Sequence, residues 1–116
     1  MNNKMILDLQ NVLGVSTTGK FDEETIEKAV ARSKDKDVIL WVQKFLNSLD
    51  HSFKVGKIKF YSDNSFMIIL SGEYDKETRE LLTYFQKEYW EYKRIPVTAE
   101  LDRETWELIS AYMKAN

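Results

Sequence analysis

Cysteine is absent from this 116-residue sequence. That removes disulfides, zinc–thiolate sites and cysteine nucleophiles together, and leaves packing as the source of stability. Histidine occurs once, as His51 beside Asp50. One imidazole without a thiol supplies neither a metal triad nor a Cys/His pair, so His51 reads as a solvated turn residue. The 4 glycines are not spaced as a phosphate loop or a dinucleotide fingerprint. An excess of positive charge is also missing: 17 Lys/Arg and 19 Asp/Glu are interleaved to a net charge of −2, which leaves no basic stripe for nucleic-acid phosphates. Apolar runs are short. The longest, 38–42 and 66–70, fall far below the roughly 20 residues of a membrane helix. The opening MNNKMILDLQNVLG lacks the basic region, apolar core and small-residue cleavage site of a secretory signal. The expectation is a soluble chain with no nucleic acid, membrane, metal or cofactor among its partners.

What the sequence does have is an octet that returns three times, as TGKFDEET at 18–25, SGEYDKET at 71–78 and TAELDRET at 98–105. Each copy opens a stretch with helical spacing of apolar residues. Asp22, Asp75 and Asp102 are placed to cap helices, accepting from the amides of Thr25, Thr78 and Thr105. The Glu before each Thr adds negative charge in the first turn, and Phe21, Tyr74 and Leu101 stand where a hydrophobic staple packs. Gly19 and Gly72 allow a tight turn upstream, where Ala99 must keep φ negative or accept strain. A glutamine on a hydrophobic frame precedes each octet: Gln10, Gln43 and Gln86. Five helices are expected, at about 4–13, 23–34, 37–49, 76–93 and 103–114, their apolar residues recurring every three and four positions. With 43% hydrophobic and 31% charged residues, the chain suits one domain over 1–116.

The helical rhythm breaks over 53–70. Residues 57–61 and 65–69 are rich in β-formers and flank the turn signal Ser62-Asp63-Asn64, which predicts a two-stranded β-hairpin inserted between a Gln-bearing helix and its octet. The fold class expected is therefore mainly α, a compact bundle of about five short helices with an inserted hairpin.

The order and spacing of WVQKFLN at 41–47, the octet at 71–78, LTYFQ at 82–86 and IPVTAELDRETW at 95–106 resemble the peptidoglycan-binding-like domain family. The resemblance covers 38–113 as a complete unit and 5–34 as a half unit, which either docks on the complete one or marks a chain cut from a longer parent. It implies a three-helix module with an internal pseudo-repeat, of the kind appended to wall amidases, muramidases and peptidases, phage lysins and spore-cortex enzymes among them. Two departures stand out, the thinned turn Ser71-Gly72-Glu73 and the hairpin in the connecting loop. The implied partner is peptidoglycan or another cell-wall polymer, reached after lysis or on a virion. The rival reading is a phage or intracellular protein-interaction module on the same scaffold, with Leu40, Trp41 and the hairpin as the contact to a protein partner or a second copy.

Catalysis is not expected. Two carboxylates could serve muramidase chemistry, but the acids that stand out recur three times as caps. Aromatics remain, because sugar rings stack on flat side chains. Phe45, Phe85, Tyr89, Trp106 and Tyr112 fall on or near the apolar stripes, whereas a helical projection puts Trp90 and Tyr84 off theirs. Trp90, Tyr84, Arg94 and, on the hairpin, Tyr61 are the candidate ligand-binding residues.

Overall fold

A computed structural model describes residues 2–49 and 68–115, which form five helices: α1 (Asn2–Leu13), α2 (Glu23–Ala31), α3 (Lys36–Asn47), α4 (Lys76–Glu88) and α5 (Arg103–Ala115). The mainly helical expectation agrees with this. The inserted β-hairpin does not: the described residues hold no strand. Most of the expected hairpin, 53–67 with Tyr61, lies outside the described residues. Its final stretch, 68–70, is irregular. There Asn47, the last residue of α3, donates its amide to the Ile68 carbonyl (3.1 Å) and accepts from the Ile68 N–H (2.8 Å). A side chain thus fills the backbone groups of Ile68 that a strand partner would have filled.

The caps fall where the octets put them. Asp22, Asp75 and Asp102 accept from the backbone N–H of Thr25, Thr78 and Thr105 at 3.0, 3.0 and 2.9 Å. At the other end of α1, Gly14 takes φ 75°. The Gly14 and Val15 amides return to the carbonyls of Asn11 and Gln10, a helix stop that needs a left-handed residue. Two helices end earlier than their apolar spacing suggested. α2 stops at Ala31 because Arg32 leaves helical geometry and turns its guanidinium to Asp35, Asp37 and the Val12 carbonyl, bracing the ends of α1, α2 and α3 together. α4 stops at Glu88, and Tyr89 turns the chain toward Pro96 while packing its ring on Phe85 and Tyr112.

The packing order is α2 on α5, α1 on α3 and α2, and α3 on α4. One continuous core results, in which the first two helices share an aromatic seam with the rest. Phe21 lies 6.5 Å from both Trp41 and Trp106, ring centre to ring centre, and the two indoles are 6.0 Å apart. Both indole N–H groups are used across the seam. Trp41 donates to the Met5 carbonyl in α1 and Trp106 to the Ser33 hydroxyl just past α2, each at 2.9 Å. Trp41 is therefore buried within the chain (3% exposed). Phe21, Phe45, Trp106 and the Met5 carbonyl pack around it.

Phe21 carries this seam for the N-terminal half. Phe21→Ala is expected to cost about 3–5 kcal/mol, the usual toll of truncating a buried aromatic. Urea denaturation of the two proteins checks it; a loss under about 1 kcal/mol would mean that the N-terminal half docks by other contacts.

Candidate functional site

The groups that look most like a site in the sequence form three copies of one structural cassette. In the first, the Gln10 amide nitrogen donates to the Thr25 hydroxyl (3.0 Å), the Thr18 hydroxyl (3.1 Å) and the Lys20 carbonyl (2.9 Å), and its oxygen accepts from Gly19 N–H (3.0 Å). Gln43 makes the same set with Thr78, Ser71, the Glu73 carbonyl and Gly72 N–H. Gln86 makes it with Thr105, Thr98, the Glu100 carbonyl and Ala99 N–H. All three glutamines are buried, as are Thr25, Thr78 and Thr105. Each of these threonines donates its hydroxyl to the capping carboxylate at 2.6 Å. An ionised Asp can only accept, so the chain of donors runs in one direction, from Gln amide to Thr hydroxyl to Asp.

This arrangement holds the Asp carboxyls below their ordinary range. For Asp22 the Thr25 hydroxyl is the largest influence. For Asp75 and Asp102 burial pulls upward most strongly, but the hydrogen bonds of Thr78 and Ser71, and of Thr105 and Thr98, together outweigh it. Three carboxylates held ionised by their own caps are poorly suited to act as general acids. Among the described residues no cluster of His, Asp and Glu could hold a metal ion.

The third turn departs from the others. Gly19 and Gly72 have φ of 77° and 74°, and Ala99 holds the same left-handed geometry at 61°. Of the two outcomes open to Ala99, the structure takes the strained one. A Cβ on Gly19 would meet Asn3 Oδ1, and one on Gly72 would meet Lys36 Cγ, both at 2.5 Å. The matching residue of the third cassette, Arg79, instead reaches the Ala99 carbonyl at 3.1 Å, which leaves room for the methyl group.

Among the described residues, two surface features stand out as places where a ligand could be held. One is a groove of about 500 Å³ between the end of α2, the start of α3 and the second and third octet turns, with Ser33, Ile39, Tyr74 and Leu101 among its lining. The other is the Trp90 indole. It is 53% exposed, and the Arg94 guanidinium carbon sits 4.8 Å from the centre of its ring. Trp90 stands in the turn after α4, so its exposure comes from the helix ending at Glu88 and not from the helical phase used to expect it. Tyr84 is buried (7% exposed) within the core cluster, and burial pushes its phenol pKa up to about 12. The projection misplaced Tyr84 because α4 belongs to two cassettes: Thr78 and Gln86 face different partners, and the buried arc is wide. Tyr61 lies outside the described residues. Trp90 and Arg94 are thus the candidates brought together. Leu40 is half-buried and, with Trp41, lines a second groove between α1 and α3. Sequence reasoning missed the larger groove because its walls come from positions 33 to 102, with only the octets to signal them.

No family model matches the chain, and neither a comparison with curated proteins nor one with solved structures returned a match.

Two outcomes follow from the cassettes. Ala99→Gly is expected to stabilise the protein by about 0.5–1 kcal/mol, because relief of a left-handed alanine, about 1–2 kcal/mol, exceeds the extra chain entropy of glycine. A denaturation midpoint that stays in place or falls would refute the strain. The second outcome concerns acid. A lowered folded-state pKa contributes stability above the unfolded value of about 3.9, and that stability is lost as pH falls through the folded value. Asp102→Asn should therefore be less stable than the parent near neutral pH, with the gap narrowing as pH falls from about 5 toward 2. Denaturant titrations across that range give the answer, and a gap independent of pH would show that the Asp102 charge adds nothing.

Proposed function

We propose that the chain is a non-catalytic binding module for a bacterial cell-wall polymer, with Trp90 as its sugar-contacting plate. The observation that carries this reading is an indole left half in solvent and backed by a guanidinium, in a molecule whose other tryptophans, Trp41 and Trp106, are buried. A stacked sugar needs a flat apolar face with polar groups at its edge. Trp90 supplies exposed ring surface, and the Arg94 guanidinium, lying over the ring, supplies hydrogen-bond donors beside it. The likeness of the Gln helices and octets to peptidoglycan-binding domains supports the choice of polymer. The prominent acids and threonines are engaged in caps, which favours binding over hydrolysis.

Trp90→Ala tests the plate. The substitution should change stability by less than about 1 kcal/mol, the scale of an exposed cation–π contact. It should weaken co-sedimentation with purified sacculi by tenfold or more, about 1.4 kcal/mol. Equal retention of parent and variant on sacculi would remove the plate, and failure of the parent to sediment would remove the wall ligand altogether.

A further inference from the structure

We infer that the groove between the N-terminal half and the rest of the chain is a second subsite, for a short peptide carrying both a free carboxylate and a free amine. In a cell wall that ligand is the peptide arm of the polymer, so the inference rests on the wall-binding reading and adds the part of the polymer that Trp90 does not address.

The floor of the groove has its polar groups satisfied from within. The Tyr74 hydroxyl donates to the Ala99 carbonyl at 2.6 Å, and the Ser33 hydroxyl bonds the carbonyls of Ala29 and Leu101. Asp102 is occupied by Thr98 and Thr105. A ligand therefore meets the apolar surface of Ile39, Leu101 and Tyr74, where little polar desolvation opposes burial. The volume, about 500 Å³, is that of a small-ligand site.

The rim is charged and only partly self-neutralised. Arg79 and Glu100 pair with each other at 2.9 Å. Lys34, Lys36 and Glu73 line the same groove, are exposed, and join no ion pair among the described residues. Lys36 is the better placed of the two lysines, since its stem lies against Gly72, where a Cβ would sit 2.5 Å from Lys36 Cγ. Two open cations and one open anion around an apolar floor complement a peptide with a carboxylate at one point and an amine at another. They do not suit a polyanion, which Glu73, Glu100 and Asp102 would repel.

The three tryptophans provide separate reporters in one spectrum of the full ¹⁵N-labelled chain. The Trp106 indole N–H is bonded to Ser33 in the groove wall, Trp90 stands at the plate, and Trp41 is bonded to Met5 beside the α1–α3 groove. The probes are the free pentapeptide L-alanyl-γ-D-glutamyl-L-lysyl-D-alanyl-D-alanine and a chito-oligosaccharide. The pentapeptide should shift the Trp106 indole signal and leave Trp90 in place, and the oligosaccharide should do the reverse. A Lys34→Glu, Lys36→Glu double variant should weaken the pentapeptide at least tenfold while its own spectrum keeps the folded dispersion. The inference is overturned if the pentapeptide leaves Trp106 unmoved, or if the double variant binds as the parent does. An oligosaccharide shift at Trp90 with a silent Trp106 would overturn the peptide subsite and leave the wall-binding reading standing. Silence at every indole with both probes would count against both.

Discussion

A primary amide buried without partners costs a few kcal/mol, so the three buried glutamines constrain nearly everything around them. Each side chain reaches from its helix into the turn before the next one. There it bonds the left-handed residue, a carbonyl and two hydroxyls. The turn cannot drift without leaving that amide unpaired. Because the Thr hydroxyl must donate to the capping Asp, it is free only to accept from the glutamine, and the start of the following helix is locked to the body of the preceding one. Capping and tertiary packing, which are separate matters in most helical proteins, become one network here.

Repeating the cassette on one chain creates a problem at its ends. α4 serves two cassettes, receiving Gln43 at Thr78 and sending out Gln86. α2 receives Gln10 at Thr25, and Ser33 stands eight positions on, where Gln86 stands relative to Thr78. In place of a local turn, Ser33 bonds the Leu101 carbonyl in the third octet and accepts the Trp106 indole. The N-terminal half is thereby joined to the third octet by a shortened version of the same contact, reinforced by Phe21 between the two buried indoles. That substitution also opens the groove, since its walls are the two surfaces that Ser33 holds together.

The parts of the molecule legible in the sequence are the ones whose partners are close along the chain. A cap spans three residues, so Asp22, Asp75 and Asp102 announce their roles directly. The glutamines could be seen to recur but not to be bonded, because their partners lie eight to thirty-five residues away. Helical phase failed at Tyr84, where one helix buries two faces. At Trp90 it reached the right exposure through a helix that had already ended. β-forming composition misled over Ile68, where an asparagine side chain supplies the pairing that the composition attributed to a strand. Of the candidate site, Trp90 with Arg94 was legible because both are local. The groove was not, since residues from four separate stretches build it.

The constancy of the cassette also bears on where binding can reside. Gly19, Ala99 and Gly72 lie nine, thirteen and twenty-nine residues after their glutamines, yet each amide hydrogen bond to the glutamine is 2.9 to 3.0 Å. Loop-closure entropy grows only logarithmically, so lengthening the shortest of these connections to the longest costs about 1 kcal/mol. The cassette can offset that cost with the bonds it already makes. The connections are therefore free to carry sequence that the scaffold does not need. Trp90 and Arg94 occupy the surplus of the third connection, while the first, the shortest, leaves no comparable surplus beyond its turn. A scaffold that fixes its turns by a buried amide leaves the length between the amide and the turn open to other uses, and the proposed contact, Trp90 with Arg94, stands in one of those intervals.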